Sequence, residues 1–217
     1  MRRKDDVMSD LSEPLPALTR SEKKREAILE ASTSVFLGQG YDVASMDGIA
    51  SAADVSKRTV YSHFKSKEDL FAETMVRMCG TKRQQMEMKI DLTEPIEKVL
   101  NNMGVTFLDM VFNPESSSML RILVGQTDKF PELGKTFLEN GPDVITELLG
   151  HYLEEQVERK VIQVSDPVEA AGSFLASLFG VHFVTLLATG KKPPGLAKRK
   201  KMVSAAVERF LHGCCAN

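Results

Sequence analysis

Apolar residues recur along most of this chain at intervals of three and four, the spacing that puts them on one face of a helix. The most informative run is SMDGIASAADVSKRTVYSHFKSKEDL, residues 45–70. Met46, Ile49, Ala50 and Ala53 share one face of a first short helix, and Asp54 and Val55 make a turn. Ser56 then stands where its hydroxyl can accept from the unpaired N–H groups opening a second helix. In that helix Val60 and Phe64 lie four apart and point inward, leaving Lys57, Arg58, Thr59, Tyr61, Ser62 and His63 on or beside the outer face. The pattern predicts a helix-turn-helix.

The flanking elements follow from caps and breakers. Thr19 and Glu22 fit a capping box for a helix through Ile28, Ala31, Val35 and Phe36, stopping at Gly38 or Gly40. Ser66 and Asp69 fit a second box, opening a long helix through Leu70, Phe71, Met75 and Met78 to about Met88. From Glu94 onward the expected helices are 94–112, 117–126, 132–160 with a break near Gly141-Pro142, 166–189 and 196–212. Few stretches alternate with period two, so no sheet is expected. The fold class is all-α: an N-terminal three-helix helix-turn-helix domain, joined by a long helix to a larger helical domain. The expected division is a mobile N-terminal arm at 1–18, the DNA-binding domain at 19–65, and the larger domain at 66–217, of which 66–90 is the linking helix.

Composition changes this picture little. Of 217 residues 42% are hydrophobic, enough for a real core, and the net charge of −2 does not advertise nucleic acid. Local clustering must therefore supply any DNA contact, and residues 57–67 hold four cations and no acid. No apolar run is expected to span a bilayer, and the basic N-terminus lacks the apolar core of a secretory signal. Cys79, Cys214 and Cys215 make no disulfide framework, which favours a reducing cytoplasm. His212, Cys214 and Cys215 lack metal-ligand spacing, so neither metal nor cofactor is expected. Without a placeable nucleophile, paired carboxylates or a phosphate-cradling glycine loop, catalysis is not expected either. One cation is out of place: Lys67 opens a helix, where positive charge is disfavoured, and a bound phosphate would reconcile the two.

Residues 20–70 resemble the DNA-binding domain of the TetR/AcrR family of bacterial repressors, on the phrases ILEASTSVFLGQGYDVASM and IASAADVSKRTVYSHFKSKEDLF. RILVGQTDKFPELGKTFLENGP and YLEEQVERKVIQVSDPVEAAGSFL resemble the C-terminal domain of the AefR-like branch. The resemblance implies a cytoplasmic, DNA-bound regulator, usually a repressor, that binds a palindromic operator as a homodimer and is released by a small molecule. It implies DNA contact by Ser45, Met46 and Asp47, base contact by Lys57, Arg58, Thr59 and Ser62, and phosphate contact by Tyr61, His63 and Lys67. The physics agrees, because a guanidinium can pair with O6 and N7 of one guanine, whereas a hydroxyl or an ammonium suits a phosphate oxygen. Asp54 and Arg58 stand where many members have glycine. A ligand-independent DNA-binding or architectural protein is the alternative.

The larger half has two tasks under this reading. Two recognition helices must reach half-sites ~34–36 Å apart. Gly172, Ala176 and Gly180 form a small-residue stripe, and Val203, Val207 and Phe210 share a face, so these helices are expected to pair with their copies. Met103, Phe107 and Met110 share a face with which Met78, Met119, Phe137, Phe174 and Phe179 could converge around a small apolar or amphipathic inducer. His182 lies nearby on its helix, and ordinary core packing remains the competing reading for each of these side chains.

Overall fold

The structure is a computed structural model that describes residues 19–214. The expected arm at 1–18 and Cys215 lie outside the described residues. In order the helices are α1 (Arg20–Gln39), α2 (Met46–Ala52), α3 (Lys57–His63), α4 (Lys67–Glu87), α5 (Ile96–Val111), α6 (Pro114–Gln126), α7 (Pro131–Asn140), α8 (Pro142–Glu158), α9 (Pro167–Thr189) and α10 (Leu196–Cys214), with no strand among the described residues.

Local chemistry sets the ends. The Thr19 hydroxyl accepts from the Glu22 amide while the Glu22 carboxylate accepts from the Thr19 amide, and Gly40 at φ 78° closes α1. At α4 only half of the second box forms. Ser66 Oγ accepts from the Asp69 amide, but the Asp69 carboxylate turns to the amide of Lys65, one residue earlier. Prolines open α6, α7, α8 and α9, where a missing N–H costs nothing.

Two apolar clusters form. One gathers α1 to α4, including Phe36, Val60, Phe64 and Phe71, and takes in Met119 and Leu123 of α6 and Leu133 of α7. The other is built from α5, α8, α9 and α10 with Met86 from the far end of α4. The helix α4 thus has its first half in one core and its end in the other. It is tied to α1 by the ion pairs Arg25–Glu73 (2.6 Å) and Arg77–Glu26 (2.8 Å), and by a buried contact of 2.6 Å between the Ser32 and Thr74 hydroxyls.

One expectation is corrected here. α9 is long and apolar enough, by length and composition, to cross a bilayer, with a mean hydropathy of 1.7 over its most apolar window. Only 28% of that window is buried within the chain. Its course breaks at Gly180, whose φ of 38° and ψ of −135° are not helical and suit a residue without Cβ.

Candidate nucleic-acid interface and inner cavity

α2 and α3 are too short to be stable alone, and their positions come from burial and caps. Ile49 and Val60 are fully buried and Phe64 nearly so, which fixes the inner faces. Ser45 Oγ accepts from the Gly48 amide and Ser56 Oγ from the Thr59 amide, capping both helices. Between them Asp54 adopts φ 52°, a left-handed turn that aspartate tolerates better than most residues.

The outer face of α3 holds most of the expected side chains. Lys57, Arg58, Tyr61 and Ser62 are exposed, while Thr59 and His63 are half-buried. The Lys57 ammonium reaches back 2.8 Å to Asp47 of α2, which pushes its pKa up, and it sits 6.0 Å from the Tyr61 ring centre. Thr59 Oγ1 pairs with Ser56 Oγ and Ser62 Oγ donates to the Thr59 carbonyl, so both hydroxyls are locally engaged. Arg58 makes no ion pair among the described residues and is the freest cation on this face.

Two expected contacts sit differently. Met46 is only 7% exposed and belongs to the core of α1–α4, so its side chain packs rather than reaches outward. Lys67 needs no anion to explain it. Its ammonium donates to the Tyr41 and Ala44 carbonyls at 2.8 and 3.0 Å and lies 4.5 Å from the Tyr41 ring centre. The cation that opens α4 therefore ties down the loop between α1 and α2. Arg25 of α1 is likewise committed, to Glu73 and to the face of Phe64 at 5.3 Å.

In the larger half a cavity of about 320 Å³ opens between α4, α5, α6, α7, α8 and α9. Of the residues expected to converge, Phe107, Met110, Phe137 and Phe179 line it. The others do not. Met103 is fully buried in the core. Phe174 packs on Phe210, with ring centres 5.2 Å apart. Met78 and Met119 pack toward the α1–α4 core, and His182 lies half-buried off the cavity wall. Helical periodicity identified apolar faces without saying which neighbour each would meet.

The expected pairing face is corrected too. Gly172 and Ala176 line the cavity. Val203 and Val207 are buried within this chain, and a Cβ on Gly104 of α5 would come within 2.7 Å of Val203. Gly180 is exposed at the kink, beside Val181 and Val184, which are 72% and 62% exposed. Lys82, Ser116 and Phe183 also line the cavity and were not expected there.

An exposed, partly cationic short helix anchored on a second one, with a hollow helical body behind it, defines a helix-turn-helix DNA-binding regulator with a separate chamber. Comparison with known proteins agrees. Residues 28–74 match the bacterial regulatory proteins of the tetR family, and residues 98–213 match the C-terminal domain of AefR-like transcriptional repressors. The chain belongs to the TetR family of transcriptional regulators. It is 25% identical to the HTH-type transcriptional regulator YvkB of Bacillus subtilis over 88% of this chain and 96% of that one. Its likeness to SrpR of Pseudomonas putida, at 30% identity, spans 49% of this chain and about half (48%) of SrpR. A TetR-family regulator from Mesorhizobium loti superposes with a TM-score of 0.87 at 28% identity, covering 92% of this chain and all (100%) of that one. The flavonoid-responsive regulator FrrA superposes at 0.77 with 30% identity, over 90% and 98% of the two chains.

Proposed function

We propose that the chain is a ligand-released repressor that binds a palindromic operator as a homodimer, with residues 19–65 reading DNA and the remainder sensing and pairing. The observation carrying the proposal is α3: Val60 and Phe64 hold its inner face in the core while Arg58, Tyr61 and Ser62 face outward. Arg58 reads a base edge in the major groove. Lys57, once released from Asp47, and Thr59 adjoin it, while Tyr61 and His63 hold phosphates. Ser45 contacts the backbone from α2. Any phosphate contact by Lys67 uses the N–H left after its two carbonyl bonds.

The dimer rests on α9. A helix of this hydropathy leaves too much apolar surface uncovered for a lone chain, and Val181 and Val184 with Ala188 form its bare stripe. The partner is a second copy, and the pair belongs in the cytoplasm, on the nucleoid when operator-bound.

The sensing reading rests on how α6 and α7 are shared. Ser116, Ser117 and Leu120 of α6 and Phe137 of α7 face the cavity, while Met119, Leu123 and Leu133 of the same helices pack into the DNA-binding core. A ligand that favours one spacing of these helices would also favour one setting of the reading heads, provided its affinity for the two states differs. FrrA is flavonoid-responsive, and a flat aromatic effector would suit a cavity walled by Phe107, Phe137, Phe179 and Phe183.

Selection of bound duplexes from a random DNA pool tests the reading. The expected product is an inverted repeat whose half-sites lie about one helical turn apart. Enrichment of no motif would point instead to the ligand-independent architectural binder.

A further inference from the structure

The cavity has one cationic wall residue. On α4, Met75, Cys79, Lys82 and Met86 follow at intervals of four, three and four, so Lys82 occupies a place in an inward-facing apolar stripe. It is half-buried, and its ammonium donates to Ser116 Oγ. No carboxylate among the described residues forms an ion pair with it. Burial pushes its pKa down, opposed by Cys79 and Glu115. Desolvating a cation in this way is unfavourable, and a soluble helix ordinarily meets that cost with an acid. Here no acid makes that ion pair, and Glu115 acts on the ammonium only from a greater distance.

The surroundings of Lys82 suit an incoming acid. The ammonium keeps two N–H donors after its bond to Ser116. Ser116, having accepted from Lys82, retains its own O–H to donate. Both lie beside the first turn of α6, the positive end of a helix of 13 residues. The rest of the wall is mostly apolar, with Phe107, Met110, Phe137, Phe179 and Phe183, and the Ser117 and Thr146 hydroxyls that also border it are spent on the Pro114 and Pro142 carbonyls. One cationic polar corner in an apolar chamber matches an amphipathic molecule with a single anionic group.

We propose that Lys82 and Ser116 form an oxyanion-binding corner, and that the cavity takes an apolar molecule carrying one carboxylate. This assignment rests on the reading of the cavity as the effector site. The carboxylate lies against the Lys82 ammonium and the Ser116 hydroxyl, and the hydrocarbon body fills the space among the phenylalanines. The ligand thus brings the counter-ion that the chain withholds, and a neutral body of the same shape lacks that gain.

Calorimetric titration of the full chain with two matched pairs tests the assignment. Decanoate against decanamide represents an aliphatic acid, and 2-naphthoate against 2-naphthamide an aromatic one. At least one acid is expected to bind about tenfold or more tightly than its amide, the size of effect a charge-assisted hydrogen bond provides. Which pair shows the preference identifies the shape of the body. Lys82→Met should abolish the preference by weakening acid binding far more than amide binding, and Lys82→Arg should keep it. Ser116→Ala, which leaves the ammonium in place, should reduce it by a smaller factor and keeps the test available if Lys82→Met does not fold. Equal binding of acids and amides by the unaltered chain, binding of none of the four, or a preference that survives Lys82→Met would overturn the proposal. Lys82-dependent binding with unchanged operator affinity would leave the anion corner standing and overturn only the effector reading.

Discussion

The reading half and the hollow half use the same material, phenylalanine and methionine on helices, and pack it to opposite ends. In the first, Phe36 and Phe71 meet edge to face at 5.0 Å, Tyr41 closes on Phe71 at 5.3 Å, and Phe36, Phe64 and Phe71 are essentially fully buried. In the second, Phe107 and Phe179 lie 5.9 Å apart and Phe179 and Phe183 5.0 Å apart, yet all three border open space. A closed aromatic core holds a fixed geometry, as reading base edges requires, because interdigitated side chains resist small displacements. A core with a chamber gives up some of that rigidity and stability and gains room for a guest.

The largest expected effect separates these cores directly. Phe71→Ala should cost about 3–5 kcal/mol in denaturant unfolding, because nothing nearby can refill its place. Phe183→Ala should cost less than about half of that, since its ring already faces a void. Similar losses at the two sites would break the distinction. Next in size is the reading face. Arg58→Ala should remove about 1–3 kcal/mol of discrimination at one base position of the selected duplex. Tyr61→Phe should weaken all sequences alike, and mobility-shift competition between matched and mismatched duplexes separates the two patterns.

Much of the reading half was legible in the sequence because its signals are local. The capping serine Ser56, a turn aspartate at Asp54 and an apolar pair at Val60 and Phe64 each act within a few residues. They mark where the helices begin and turn, and burial against α1 and α4 then sets where they sit. Lys67 was harder to place for the opposite reason: the Tyr41 and Ala44 carbonyls it donates to are 26 and 23 residues away in sequence. The hollow half depends on such distant neighbours throughout. Val203 and Val207 looked like a pairing face because helical spacing marks a stripe as buried without saying whether the same chain buries it. Gly104 of α5 decides that question. Lys82 was visible as a cation inside the stripe Met75, Cys79 and Met86, a signal that would have marked this wall from the sequence alone.

Smaller effects sharpen the comparison further. Ser56→Ala should cost about 1 kcal/mol by uncapping α3, and it should lower operator affinity as well, because the cap holds the end of the helix proposed to meet DNA. A loss of stability without a loss of affinity would mean that the first turn of α3 does not need its cap for reading. Lys82→Met should act the other way and stabilise the empty protein at neutral pH, by less than about 1 kcal/mol. Burial holds the Lys82 pKa below its ordinary value, so between the folded and unfolded pKa the unfolded chain binds more protons and stability rises with pH. Below that window the cost of the buried charge is present in full. The advantage of the methionine variant should therefore shrink as pH rises toward the unfolded lysine value of about 10.4, and thermal melts across alkaline pH would follow it.

The central claim is that the chamber and the reading heads share one equilibrium through α4, α6 and α7. Its most direct test is reciprocity between the selected operator duplex and whichever of decanoate or 2-naphthoate binds. Saturating ligand should weaken operator affinity by some factor, and saturating operator should weaken ligand affinity by the same factor. Two affinities that ignore each other would contradict the account.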